Sequence, residues 1–298
     1  MAEAKVETVT AGQARRDADR VGRARDEPVL ADRWRERWVG WASWPATPGV
    51  LVTAAAALVV DAGTAWMGLA ELHLGRVPVS PATPIALVLV ALLGARAVGL
   101  TRPGLRAWRE FLVGAGAFAV VMGFACAATV FGWRGVGGVV LAAVSEEIVY
   151  RIGAVLLVGA ACARLARRDW RDTARWGSGP ALTAVIGAAI VFSALPGHVE
   201  QMAGVTSVVP FASLAGLLGY TALRTGALVP CVLVHLVLDL VALTYLAGAL
   251  APTTRLVLAT VLLAGLAMGL MAAGRRLGLR RRVPDVIDLR DVDRSIVS

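Results

Sequence analysis

The feature that most limits how this chain can fold is a series of apolar runs, each long enough to cross a bilayer and joined by short polar connections. Backbone amides inside hydrocarbon must find their hydrogen bonds within the segment, so uninterrupted runs of about 20 residues read as helices. Eight spans are expected, roughly 48–71, 82–101, 111–132, 136–163, 179–197, 205–223, 227–249 and 254–273. A mean hydropathy of +0.69, well above that of a soluble domain, agrees. The expected fold class is therefore all-α, a polytopic membrane helix bundle of about eight transmembrane helices. The domain organisation follows as a polar N-terminal tail over 1–45, a membrane domain over 46–274, and a basic then acidic cytoplasmic tail over 275–298.

The net charge of +9 comes almost wholly from arginine, Lys5 being the only lysine. These arginines form no single patch, which argues against a nucleic-acid partner. They gather in the tails and in alternate loops, as orientation signals do. Arg102, Arg106 and Arg109 follow the second span, Arg164, Arg167, Arg168, Arg171 and Arg175 the fourth, and Arg224 the sixth. The other loops hold only Arg76, Arg134 and Arg255. Both tails and the arginine-rich loops are assigned to the cytoplasm, which needs an even number of spans. Alanine abundance and lysine scarcity suggest a GC-rich genome, and the expected location is a bacterial plasma membrane. Residues 1–28 are charged and lack an apolar h-region, so no cleavable signal peptide is expected. Leu30, Trp34, Trp38 and Trp41 fall at helical spacing with arginines between them, and Trp44 follows, so a Trp-rich interfacial helix is expected there. Trp108, Trp133, Trp170 and Trp176 fall at expected membrane–water interfaces. Cys126, Cys162 and Cys231 sit in different apolar runs without metal-ligand spacing and read as packing residues.

Against this apolar background, Ser145-Glu146-Glu147-Ile148-Val149-Tyr150-Arg151 stands out. Each ionisable group in hydrocarbon costs several kcal/mol by order of magnitude. Glu147 and Arg151 are four apart, in the order that favours an ion pair on one helical face. Glu146 points about 100° away and is left to face something else. A structural charge cluster between helices accounts for the same residues equally well. Two further elements matter. Phe192-Ser193-Ala194-Leu195-Pro196-Gly197-His198 should break the fifth span just before its histidine. His235 and Asp239 lie one turn apart in the seventh span.

Two chemistries fit this inventory. Glu146 can act as a general base on water, or the carboxylates and histidines can hold a divalent metal that activates it. No HExxH is present, and His235 and Asp239 can satisfy each other, which favours the metal-free version; no cofactor is expected, with a divalent metal the alternative.

The pattern Glu146-Glu147-x-x-x-Arg151, then His198 at a helix end, then His235-x-x-x-Asp239, resembles the three motifs of the CPBP intramembrane proteases. This family includes the CAAX prenyl endopeptidases type II and bacteriocin-processing or self-immunity proteins. Phe211, Gly216, Gly219 and Tyr220, then Arg224-Thr225-Gly226-Ala227-Leu228, approach the third motif in the same way, and the resemblance covers about residues 110 to 245. It implies an eight-helix membrane protease domain and a membrane-associated peptide or protein as substrate. Glu146 with His198 would activate water, and His235 and Asp239 would stabilise the oxyanion. Glu147 and Arg151 would be the supporting pair, with no metal among the assigned roles, although the family is also described as metalloproteases. Two positions depart from the pattern. The second motif usually has phenylalanine four residues before its histidine, where this chain has Ala194, with Phe192 six before. The third motif often ends in asparagine, and Asp239 stands there. An ionised aspartate cannot donate a hydrogen bond, so Asp239 is expected to hold His235 as an imidazolium that alone faces the oxyanion.

Two other function classes compete. One is a non-catalytic immunity or scaffold protein that keeps the charges for packing. The other is a proton-coupled transporter relaying through Glu146 and Asp61, although no internal repeat is visible. The arginine asymmetry makes a direct topological prediction. Reporter fusions at the C-terminus and in the 198–204 loop should report opposite sides of the membrane, and a same-side result would end the eight-span arrangement.

Overall fold

A computed structural model describes residues 41–68, 72–74, 77–196, 198 and 205–277. The helices, in chain order, are α1 (Pro48–Met67), α2 (Thr83–Leu93), α3 (Arg102–Ala107), α4 (Arg109–Cys126), α5 (Gly132–Glu146), α6 (Val155–Leu165), α7 (Ser178–Ser193), α8 (Val205–Thr225), α9 (Val229–Leu246) and α10 (Pro252–Arg276). Two of their junctions are π-helical. Ala127–Phe131 extends α4, and Glu147–Ala154 joins α5 to α6 without a break. A short antiparallel ribbon, β1 (Leu72–Leu74) with β2 (Val77–Val79), lies between α1 and α2. The protein is a polytopic helical bundle, as the apolar runs require.

Among the described residues, five helical segments are long and apolar enough to cross a membrane: Pro48–Met67, Arg109–Val130, Gly132–Leu165, Val229–Leu246 and Pro252–Arg276. The lengths do not carry the count of eight. α2 has 11 residues, about 16 Å of helix, roughly half a hydrocarbon core. It stops at Gly94, whose φ of 82° lies outside helical backbone, and the chain then turns back through 95–100. The apolarity of 82–101 thus serves a short helix and a return loop together. α7, with 16 residues, is also short. By contrast Gly132–Leu165 runs for 34 residues, about 50 Å.

The bundle is organised around the π-helical stretch. All eight of its residues, Glu147 to Ala154, are buried, and it contacts α1, α2, α7, α8 and α9. α9 packs along α4, and α7 lies between α6 and α8. Tyr150 ties the stretch to α1, its hydroxyl donating to Asp61 Oδ2 at 2.8 Å while Ser80 donates to Asp61 Oδ1 at 2.8 Å. Asp61 is thereby a doubly bonded acceptor.

The tryptophans depart from the sequence expectation. Leu30, Trp34 and Trp38 lie outside the described residues. Trp41 and Trp44 are not helical: residues 41–47 form an extended strap, and both indoles are buried. The strap runs across the loops to which the arginine asymmetry assigns a cytoplasmic location. Ala42 N donates to Leu223 O at 2.8 Å, Ala46 N to Arg171 O at 2.8 Å, and Trp44 Nε1 to Ala97 O at 2.7 Å. Thr173 completes it, its hydroxyl accepting from Trp44 N at 2.9 Å and donating to Ala42 O. Leu228 N reaches Val98 O at 3.2 Å beneath the strap. The crossing is close enough to demand glycine: at Gly99, with φ 74°, a Cβ would lie 2.7 Å from Ala227 Cα. Trp108 and Trp176 are likewise buried within the bundle, while Trp133 is exposed. Their large rings fill spaces left by glycines opposite, Gly269 for Trp108 and Gly159 for Trp176. The three cysteines are free, with Cys126 and Cys231 buried, as packing residues would be.

The Trp176–Gly159 contact yields a prediction. A Cβ at Gly159 would stand 1.9 Å from the Trp176 ring, with helix on one side and a buried indole on the other. Overpacking of this kind destabilises by about 1–3 kcal/mol or more. Gly159→Ala should therefore unfold at a clearly lower temperature than wild type. Gly216→Ala, whose Cβ has nothing within 4 Å, should unfold as wild type.

Candidate active site

Glu146 ends α5, and Glu147 and Arg151 belong to the π-helical stretch. His198 follows the end of α7, which stops at Ser193 with Ala194 as its cap, before Pro196 removes the next donor. His235 and Asp239 lie in the interior of α9. These four elements bring all six sequence-predicted residues into one connected group.

At its base is Glu147, whose side chain is 0% exposed. Arg151, 1% exposed, binds it in fork geometry, Nε to Oε2 at 3.2 Å and Nη2 to Oε1 at 3.1 Å. A third donor is His235, whose Nδ1 lies 2.9 Å from Glu147 Oε1. Since a carboxylate only accepts, that nitrogen carries a proton. The Arg151 guanidinium also lies over the Phe192 ring, 4.2 Å from its centroid.

The other nitrogen of His235 faces the open side. Its Nε2 is 3.4 Å from Asp239 Oδ2 and 3.7 Å from Glu146 Oε2. His198 approaches the same oxygen from α7, its Nε2 3.8 Å from Glu146 Oε2. The tautomer of His198 follows from its partner. Nδ1 is 2.7 Å from Phe192 O, and a carbonyl can only accept, so Nδ1 donates and the Nε2 of the neutral ring is an acceptor. Glu146 Oε2 is itself buried and without a hydrogen-bond partner among the described residues. Two acceptors thus face each other across 3.8 Å with no donor between them.

Phe192 is the site residue that motif spacing placed poorly. Six positions before His198, its ring lies tilted against the imidazole with centroids 4.1 Å apart, meets Tyr150 edge-on at 5.1 Å and lies 5.8 Å from His235. The phase of α7 could have shown it, because a helix ending at Ser193 leaves the chain room to fold His198 back onto the last aromatic. The Glu147–His235 bond was also absent from the sequence reading, which paired Glu147 with Arg151 and His235 with Asp239. Both of those pairings exist, and the contact across the two helices is shorter than the His235–Asp239 one.

A cavity of about 480 Å³ leads to this group. Arg151, His198, His235 and Asp239 line its polar end, while residues such as Leu214, Leu238 and Leu263 make its walls apolar. Among the described residues no three His, Cys, Asp or Glu side chains are arranged to hold a metal ion.

Residues 128–241 match the family of type II CAAX prenyl endopeptidase Rce1-like proteins. The matched segment contains all six site residues, and it is the family group that the sequence motifs resemble. No curated protein and no solved structure matches the chain. The Rce1-like match, together with several apolar helices, supports an integral membrane protease of the CAAX type, an intramembrane endopeptidase whose substrate is a peptide or protein.

The geometry distinguishes the two adjacent glutamates energetically. Removing one partner of a buried ion pair typically costs about 3–5 kcal/mol, because the other charge is left without compensation. Arg151→Ala should accordingly lower folded yield and melting temperature sharply, while Glu146→Gln, which breaks no hydrogen bond among the described residues, should fold as wild type. Equal thermal stability of the two variants would show that the Glu147 carboxylate does not depend on Arg151.

Proposed function

We propose that the protein hydrolyses a peptide bond in a membrane-associated protein or peptide by metal-free, glutamate-based catalysis. The observation that carries this reading is Glu146 Oε2, which has no hydrogen-bond partner among the described residues and lies 3.8 Å from His198 Nε2 and 3.7 Å from His235 Nε2, beside a cavity with apolar walls. Two opposed acceptors are reconciled by a molecule with two hydrogens, and a water donating one to Glu146 and one to His198 satisfies both. That water is the nucleophile. As its oxygen attacks the scissile carbonyl carbon, Glu146 takes its proton and His198 holds it in line. The carbonyl oxygen becomes an oxyanion. His235 faces carboxylates through both nitrogens, an arrangement satisfied by the doubly protonated ring, so its Nε2–H is available to an oxyanion formed beside it. Asp239 keeps that ring charged and accepts from it. Collapse of the tetrahedral adduct then passes the proton from Glu146 to the leaving amine. Glu147 and Arg151 act through His235 as positioning residues. Both termini face the cytoplasm in this reading, with 46–274 as the catalytic domain between the two tails.

The test is cleavage of a membrane-anchored peptide library by the purified protein. Glu146→Gln preserves size and removes the base, so cleavage should fall about 10²-fold or more while the melting temperature holds. His235→Ala should lose activity by about the same factor through loss of oxyanion stabilisation. Prolonged chelation should leave wild-type cleavage unchanged. Loss on chelation with recovery on adding zinc, cobalt or manganese would overturn the metal-free mechanism but keep the protease. Full cleavage by Glu146→Gln would overturn the catalytic assignment and leave a non-catalytic membrane protein as the better account.

A further inference from the structure

On the side of α4 and α10 away from this site, the two helices enclose an apolar groove of about 630 Å³, lined by residues such as Phe111, Phe118, Leu262 and Met268. Missing side chains help to make it. Gly114 has nothing within 4 Å of where its Cβ would be, and Gly265 meets only Phe111, at 3.8 Å. At one end it continues into a second cavity of about 430 Å³, sharing Ala107 and Arg276 with it and adding Pro103, Arg106 and Leu277. The combined feature is apolar along its length, and its mouth carries two arginines, Arg106 and Arg276, against one carboxylate, Glu110. Arg276 is held by Glu110, Nη2 to Oε1 at 2.7 Å, and by Ala107 O at 3.2 Å. Arg106 is exposed, and its side chain has no hydrogen-bond or ion-pair partner among the described residues. Trp108, which lines the groove and is 1% exposed, has an Nε1–H with no partner among them.

We propose that this feature is a binding site for an anionic phospholipid, with the phosphate at Arg106 and Arg276 and one acyl chain along the α4–α10 groove. The arginine asymmetry assigns this end to the cytoplasmic leaflet, where basic pockets between transmembrane helices meet anionic headgroups. Charge complementarity selects the lipid class. An uncommitted guanidinium favours a phosphate with no cationic group attached, and the quaternary amine of a zwitterionic lipid would be set against Arg106. The site stands apart from Glu146 and does not rest on the protease reading.

Native mass spectrometry of the detergent-purified protein, given equal amounts of phosphatidylglycerol and phosphatidylcholine of the same chain length, tests the site. Phosphatidylglycerol should be retained preferentially. Arg106→Gln should lower its retention about fivefold, the effect of one basic residue near a membrane surface. Gly114→Leu, which fills the groove where space is open, should abolish the preference, and glycerol 3-phosphate should not displace the bound lipid. Equal retention of the two lipids would overturn the proposal. So would wild-type retention by Arg106→Gln, or by a Gly114→Leu protein that melts as wild type, or displacement by glycerol 3-phosphate. If Gly114→Leu does not fold, Arg106→Gln decides alone.

Discussion

Glu147 is a carboxylate removed wholly from solvent, and the arrangement of the site depends on how it is satisfied. Desolvation of such a group is repaid only by close, well-directed donors. Here the donors are the Arg151 fork, one turn along the same chain segment, and His235 Nδ1 from α9. The first pair is local and can form with the helix. The second joins two helices and fixes the ring plane of His235, which decides what its Nε2 can face. Glu147 takes the close hydrogen bonds of both donors, and Glu146 Oε2 next to it has no hydrogen-bond partner among the described residues. The contrast between two chemically identical neighbours thus arises from direction alone. The π-helical winding contributes, since this is the stretch where α1, α2, α7, α8 and α9 all meet, and π-bulges often occur at functional sites.

Much of this was legible because membrane physics is strict. Apolar runs announce helices, and an ionisable residue within one must have a partner. The i,i+4 spacing of Glu147 with Arg151, and of His235 with Asp239, could be read directly, and the structure contains both contacts. What could not be read was contact between runs. Glu147 and His235 are 88 positions apart, and nothing in either segment states which face meets the other. Phe192 was obscured for a similar reason, since its place against His198 depends on where α7 stops. Hydropathy also counts residues and not geometry, so 82–101 looked like a full span although Gly94 ends its helix after 11 residues.

The tryptophans mark a second limit of pattern reading. An indole is suited both to the headgroup layer and to filling a large gap in a bundle. Composition does not tell these uses apart. The opposing glycines do, once known: Gly159 and Gly269 leave the space that Trp176 and Trp108 occupy. A tryptophan near a basic loop is thus an ambiguous sign of membrane depth, and the residue across from it carries the missing information.

The strap at 41–47 has a consequence for how the protein is made. It leaves the ribosome before all of its bonding partners, which follow at Ala97, at Arg171 and Thr173, and finally at Leu223. Until α8 has been synthesised and packed, the amide of Ala42 has no Leu223 carbonyl to meet. Seating of the strap is therefore a late event in biogenesis, tied to the arrival of the last partner loop and not to the emergence of the strap itself. Through the interval Trp41 and Trp44 are exposed without their burial site, so the nascent chain has to keep two large apolar rings from competing partners while most of the membrane domain is still being synthesised.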